Sequence, residues 1–469
     1  MNKDVMKRKE GHSMKRFRRD LLTGPLFPSI VSYTIPIILT GVLQLLFHAA
    51  DLVVVGTKGE IYLSAVGATN AITNLIVNMF IGLSVGAGVT MAHAIGCRDA
   101  EAMHRTVHTA IPTAFIGGTI LTVVGILLAE PLLRLMGTPE SVLPYSTLYM
   151  RIFFGGMVFN MIYNFGAALL RAAGDTKGPL VYLTTAGVCN VLLNLFFVLV
   201  LGMTVDGVAL ATIISQAISA VLVVLALMRR QDAARLQLKK LRIYKMQITK
   251  IIRLGLPAGI QGSLFSISNV MIQSSINSFG EIFMAGSTAA GSIEGFVYVI
   301  MNAFHQTALN FTGQNIGAGQ YKRVRKILWI CLASVSVVGM AVGGGAYLMR
   351  ETLLRIYIVD SPNAATAIAA GAERMMYICL PYFLLGLMDV TTGVLRGLGS
   401  SVVPMIISVL GVCGLRVGWV YTIFAAHRTP ASLFVSYPVS WIVTFACQLI
   451  AFILIFRKRL AAQNRINAV

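Results

Sequence analysis

Three polar side chains lie close together inside the first long apolar run, Gly41-Val-Leu-Gln44-Leu-Leu-Phe-His48-Ala-Ala-Asp51-Leu-Val-Val-Val-Gly56. Gln44, His48 and Asp51 are four and three residues apart, so a helix places them on one face. Holding a carboxylate at the centre of a bilayer costs on the order of 3 kcal/mol, so such a group belongs in a protein interior or a wet cavity. There it is a functional candidate. Glu294 and Asp389 are two further acids within apolar runs. Nothing beside them suggests bond-making chemistry. The six cysteines (Cys97, Cys189, Cys331, Cys379, Cys413, Cys447) stand singly, and neither C-x-x-C nor H-E-x-x-H occurs. No cofactor, zinc site or disulfide framework is expected, and a membrane-embedded enzyme is disfavoured because no nucleophile and base pair is present.

Composition says where these acids must sit. Of 469 residues, 56% are hydrophobic and 12% charged, and the mean hydropathy is +0.77. That is too apolar for an ordinary soluble domain and reads as an all-α, polytopic membrane protein. Apolar runs separated by polar, Gly or Pro breaks give twelve transmembrane helices, at about 29–56, 64–95, 104–130, 142–170, 179–201, 206–228, 251–279, 286–316, 326–349, 364–395, 402–425 and 431–456. About 20 residues suffice to span, so several are long enough to tilt or to extend beyond the bilayer. The basic N-terminal stretch resembles the start of a signal peptide, but apolar segments continue without a cleavage pattern and the first span is retained.

The net charge of +20 is a topology signal. Thirty of the 38 Lys and Arg fall in the N-terminal segment, the even-numbered loops and the C-terminal tail; five fall in odd-numbered loops, and Arg151, Arg374 and Arg416 lie within spans. Both termini are therefore expected on the cytoplasmic side. The basic residues meet membrane lipids there, and no nucleic-acid partner is implied.

The chain repeats itself. Pro36, Gly41, Gly59-Glu60-Ile61 and Ile95-Gly96 recur 221 residues later as Pro257, Gly262, Gly280-Glu281-Ile282 and Ile316-Gly317. Leu170-Arg171, Gly174 and Pro179 recur 225 residues later as Leu395-Arg396, Gly399 and Pro404. The segment from Arg171 to Pro179 reads as a helix end, a tight turn and a new helix start. The resulting organisation is a basic cytoplasmic segment (1–28), a six-helix lobe (29–228), a basic linker (229–250), a second six-helix lobe (251–456) and a tail (457–469). An even number of spans per lobe gives a parallel repeat. The linker is expected to carry a basic amphipathic helix lying on anionic headgroups.

The segments Asp51-Leu-Val-Val-Val-Gly56, Leu169-Leu-Arg171-Ala-Ala-Gly174-Asp175-Thr-Lys177-Gly-Pro179, Asn190-Val-Leu-Leu-Asn194, Gly207-Val-Ala-Leu-Ala211-Thr212 and Gly393-Val-Leu-Arg396-Gly-Leu-Gly399 together resemble the multidrug and toxic compound extrusion (MATE) transporters of the MOP flippase superfamily. The resemblance runs from Gly24 onward. It implies a V-shaped pair of lobes in a bacterial cell membrane, acting as a monomer. It also implies export of cationic or amphipathic compounds by alternating access, driven by entry of H⁺ or Na⁺. By resemblance, the cation or proton site comprises Asp51, Asn190, Asn194 and Thr212. The second helix 5 position is an aspartate in some relatives and Asn194 here. The residues fit in kind: one carboxylate with neutral carbonyl and hydroxyl oxygens suits a hard monovalent cation such as Na⁺, and the acid alone suits a proton.

The second lobe is not a copy of this site, because Ile272 stands where the repeat places Asp51. Another branch of the family uses second-lobe acids on helices 7 and 10, but their positions fall at Phe265 and near Leu385. Asp389 is expected to pair with Arg416 or to face the cavity. Glu294 has no evident partner and is expected to face the cavity, attracting a cationic substrate or carrying a second proton. Gln44, Asn160, Tyr163 and Asn164 are further cavity candidates by resemblance. Pro36 and Pro257 mark static kinks or, by resemblance, a bending switch in helix 1. Arg171 and Arg396 are expected at the cytoplasmic surface. The nearest alternative is a lipid-linked precursor flippase, which needs more cavity cations than the three span arginines offer. Without G-x-x-x-x-G-K-[ST], ATP is not the direct energy source, and no filter-like segment suggests a channel.

Overall fold

The computed structural model describes residues 20–358 and 362–467. Most of the basic 1–28 segment and the end of the 457–469 tail lie outside the described residues. The described chain is helical, and we number its spans α1 (Leu26–Gly56), α2 (Glu60–Gly96), α3 (Ala100–Leu135), α4 (Leu143–Gly155 and Met157–Ala172), α5 (Lys177–Val200) and α6 (Val205–Met228). After the linker come α7 (Lys245–Asn277), α8 (Glu281–Gly317), α9 (Tyr321–Leu348), α10 (Ala364–Ile378 and Phe383–Gly397), α11 (Val402–Phe424) and α12 (Pro430–Gln463).

Nine of these are individually long and apolar enough to cross a membrane, and the two bent pairs, α4 (48°) and α10 (46°), bring the number to eleven. The remaining helix, α7, has 33 residues. Its basic start and polar Gln261, Ser263 and Ser266 make it less apolar. Outward-facing side chains such as Val53, Leu127, Leu192, Val337 and Leu454 are exposed and apolar, as lipid contact requires.

The sequence repeat is a structural repeat. Adding 221 to the bounds of α2 gives those of α8, and adding 225 to the end of α4 at Ala172 gives the end of α10 at Gly397. The turns after α4 and α10 are matched in backbone detail. Gly174 and Gly399 adopt φ of +85° and +83°, which side chains with a Cβ disfavour. Asp175 N donates to Leu170 O (2.9 Å) and Ser400 N to Leu395 O (3.0 Å), closing each helix with the same six-residue loop.

The chain divides into two compact units, Met1–Gly259 and Ile260–Val469. The boundary falls within α7, two residues past Pro257, because the start of α7 packs on α2 through glycines. A Cβ on Gly259 would stand 2.1 Å from Met79 O, and one on Gly82 would stand 2.1 Å from Gly259 N. No side chain fits between these backbones. The main core of the first unit gathers Met91, Val107, Leu121, Phe154, Met161 and Phe165 from α2, α3 and α4. In the second unit, α8 packs along α10, and α10 against α9 and α12.

The linker differs from expectation. In place of a separate amphipathic helix, residues 229–244 run as turns and irregular chain with one short 3₁₀ turn at Leu238–Lys240, and residues 245–250 already belong to α7.

Candidate cation-coupling site

Two helices bring the first-unit polar residues together. α1 lies along α5, and the approach is set by Gly187, where a Cβ would sit 1.8 Å from the Phe47 ring. With Phe47 seated there, Asp51, one turn further along α1, meets Asn190 and Asn194, which lie three and seven residues further along α5. Asp51 is 7% exposed, Asn190 4% and Asn194 fully buried.

Asn194 Nδ2 donates to Asp51 Oδ1, and lies 3.3 Å from Asn190 Oδ1. Side-chain interactions with the Asp51 carboxyl come from Asn194, Asn190 and Thr212. The half-buried Thr212 also donates its hydroxyl to Val208 O at 2.9 Å. All four residues named from the sequence thus meet in one place. The wall around them is apolar, formed by Val54, Val55, Val198, Val205 and Val208. In such surroundings a hydrogen bond to a charged group stabilises by about 1.5–3 kcal/mol.

One oxygen at the site is unsatisfied: Asn194 Oδ1 is buried without a hydrogen-bond partner. A buried orphan acceptor is costly unless a donor or cation meets it. This donor set fits a hard monovalent cation or a proton on Asp51.

Sequence reasoning missed Tyr149 of α4, which is buried and interacts electrostatically with Asp51. An isolated tyrosine in an apolar run gives no signal of this electrostatic interaction. Gln44 and His48 do not join the cluster. Both are exposed, and no residue from 41 to 50 is buried. The shared helical face is there, but only its Asp51 end is covered.

The proposed cavity residues separate. Asn160 and Asn164 are half-buried and bonded to each other, Asn164 Nδ2 donating to Asn160 Oδ1 at 2.9 Å. Tyr163 is instead a core residue, 4% exposed, with its hydroxyl donating to Pro179 O at 3.3 Å. Its neighbours are fixed by helix packing, so the cavity expectation for Tyr163 is corrected.

In the second unit, Glu294 is not unpartnered. Arg374 of α10 grips it with two parallel bonds, Nε to Oε1 at 2.7 Å and Nη2 to Oε2 at 2.8 Å, and Arg374 Nη1 donates to Ser287 Oγ at 2.8 Å. Both members are nearly buried, and a fork of this kind neutralises the acid locally. The rule that buried opposite charges pair would have found it.

Asp389 does not pair with Arg416, which donates to Ser440 Oγ (3.0 Å) and stacks on Tyr437. The charge interacting with Asp389 is Arg396. Arg396 is buried and away from the surface, its Nη2 donating to Gln261 Oε1 at 2.9 Å. His305 Nδ1 donates to the Asp389 backbone carbonyl at 2.7 Å, and its Nε2 lies 3.5 Å from Arg396 Nη1. The surface expectation for Arg396 is therefore corrected. Spacing along one chain held no sign of Gln261 or His305 as its partners.

The sequence model of the MatE family matches residues 36–196 and 257–422, one stretch in each half. The chain belongs to the MatE family. Members of that family are transporters and not enzymes. Among relatives of this MatE protein, the probable multidrug resistance protein YoeA of Bacillus subtilis (strain 168) is 25% identical over 430 residues, covering 89% of this chain and 91% of that one. The probable multidrug resistance protein YpnP of the same organism is 29% identical over 307 residues, covering 65% and 68%. In fold, the chain is similar to a crystal structure of MATE in the bent conformation, with a TM-score of 0.84 at 22% identity over 96% of this chain and 98% of that one. This MatE chain is a transporter with an all-α fold whose described helices are long and apolar enough to cross a membrane many times.

Proposed function

We propose that the protein exports cationic or amphipathic compounds by alternating access, with entry of H⁺ or Na⁺ coupled at Asp51. The observation that carries this reading is the buried meeting of Asp51 with Asn194, Asn190 and Thr212. A lone acid in apolar surroundings has two low-energy states, protonated or cation-bound, and each requires a different hydrogen-bond arrangement. When ionised, Asp51 accepts from Asn194 Nδ2. When protonated it gains an O–H to donate, and a turned Asn194 amide offers Oδ1 as the acceptor. The cargo ion thus changes how α1 is tied to α5, and that change is the element able to bias a conformational equilibrium.

The second unit has the buried Ile272 where the repeat places Asp51, so coupling through this element is one-sided. The named relatives' multidrug resistance supports drugs as substrates. The Lys and Arg bias toward the termini and the even-numbered loops supports a bacterial cell membrane location with both termini cytoplasmic, and the working unit proposed is the monomer. A lipid-linked precursor flippase fits less well. Arg374 is held by Glu294, Arg416 by Ser440 and Tyr437, and Arg151 by Glu130, which leaves few cations for a pyrophosphate.

Purified protein in liposomes loaded with a fluorescent organic cation tests the reading. An imposed pH or Na⁺ gradient should accelerate cation movement against its own gradient. Movement indifferent to both gradients would overturn it.

A further inference from the structure

The linker between α6 and α7 is fixed by its backbone over 237–244, and the side chains from 238 to 246, Tyr244 excepted, are exposed. Gln237 N donates to His108 Nε2 (3.1 Å), Arg242 N to His108 O (3.3 Å) and Tyr244 N to Thr109 Oγ1 (3.1 Å). His108 Nδ1 meets His104 O at 2.8 Å. A carbonyl only accepts, so Nδ1 carries the proton and Nε2 is free to accept from Gln237. The Tyr244 ring lies near the guanidinium groups of Arg105 (5.5 Å) and Arg242 (5.8 Å). Ala234 and Leu236 are sunk in the first unit's core.

Between these fixings the chain presents two kinds of side chain that water disfavours in combination. Leu238, Leu241, Ile243 and Met246 are 51%, 39%, 43% and 51% exposed. Lys239, Lys240, Arg242 and Lys245 alternate with them and are exposed as well. Asp232, the sole acid from 229 to 253, is already engaged by Arg230 at 2.7 Å. No carboxylate of the segment is left to match the projecting cations. The segment joins the ends of two spanning helices, so it lies at one face of the membrane.

We propose that residues 238–246 form a membrane-surface anchor that docks on anionic phospholipid headgroups. The apolar side chains enter the boundary between headgroups and acyl chains, and the Lys and Arg heads meet lipid phosphates. The anchor fastens the cytoplasmic end of α3 to the lipid through His108 and Thr109, and it does not depend on which ion Asp51 carries.

Full-length protein in nanodiscs tests this by amide hydrogen exchange over residues 238–246. Exchange should be slower in phosphatidylcholine discs containing phosphatidylglycerol than in phosphatidylcholine alone, and high salt should abolish the difference. Each charge removed in K239Q, K240Q and R242Q should lower the equilibrium constant for the docked state about fivefold and so raise the phosphatidylglycerol level needed for half-protection. L238S/L241S/I243S should lose protection with every charge retained. Should a variant also lose protection in its spanning helices, the wild-type salt titration decides alone. Equal exchange in the two lipids, or protection indifferent to salt, would overturn the proposal.

Discussion

Asn194 on α5 donates its side-chain amide to Asp51 Oδ1 on α1, across 143 residues of sequence. Both groups are buried among valines, and the oxygen of the Asn194 amide, Oδ1, has no hydrogen-bond partner. One amide therefore both ties two helices together and leaves an acceptor facing the site. That pairing gives Asn194 more weight than its neighbour Asn190, although the two are equivalent by spacing.

Replacing Asn194 with Ala removes a hydrogen bond to a charged group, worth about 1.5–3 kcal/mol. The apparent affinity for the driving ion should fall by about tenfold to a hundredfold, read from export rate against ion concentration in liposomes. An unchanged affinity would show that Asn194 only holds helices together.

Gly187 tests how the site is positioned. A Cβ there meets the Phe47 ring, so Gly187→Ala should displace α1 from α5 at a cost of about 1–3 kcal/mol and impair export. Adding Phe47→Ala should restore much of the activity by making room. Failure of this second change to help would mean that Phe47 does not set the spacing.

Much of this architecture is legible in the sequence for a physical reason. Helix ends depend on local chemistry: the glycines that must adopt positive φ, Gly174 and Gly399, recur at the repeat offset and can be read directly. Asp51, Asn190, Asn194 and Thr212 are legible through family resemblance. Partners across helices are harder, because they depend on the rotation and depth of packed helices. Arg374 lies 80 residues from Glu294, and Arg396 finds Gln261 on α7 from a position that looks like a loop edge. The same limit explains Gln44 and His48, whose spacing matches Asp51 while neighbouring helices cover only the end of that face.

Glu294 and Arg374 provide a stability test. Glu294→Gln leaves Arg374 buried without its counter-charge and should destabilise by about 3–5 kcal/mol, measured by thermal unfolding in detergent. The double change Glu294→Gln with Arg374→Met should recover most of that loss. A shift in substrate selectivity at unchanged stability would return Glu294 to the cavity.

Gly259 is a packing requirement of the first unit. Gly259→Val places side-chain atoms against the Met79 backbone and should abolish recovery of folded protein, whereas Gly295→Ala, which meets no atom within 4 Å, should be tolerated. Size-exclusion profiles of the two variants make the comparison, and similar folded yields would contradict it.

The central claim is that Asp51 couples ion entry to export. Wild-type protein and Asp51→Asn are reconstituted side by side in liposomes containing a transported organic cation, and export is followed under imposed pH and Na⁺ gradients. Asn keeps the size and polarity but can neither ionise nor bind a proton. Wild type should export in response to at least one gradient, and the variant should respond to neither while retaining substrate binding. Full gradient-driven export by Asp51→Asn would contradict the account.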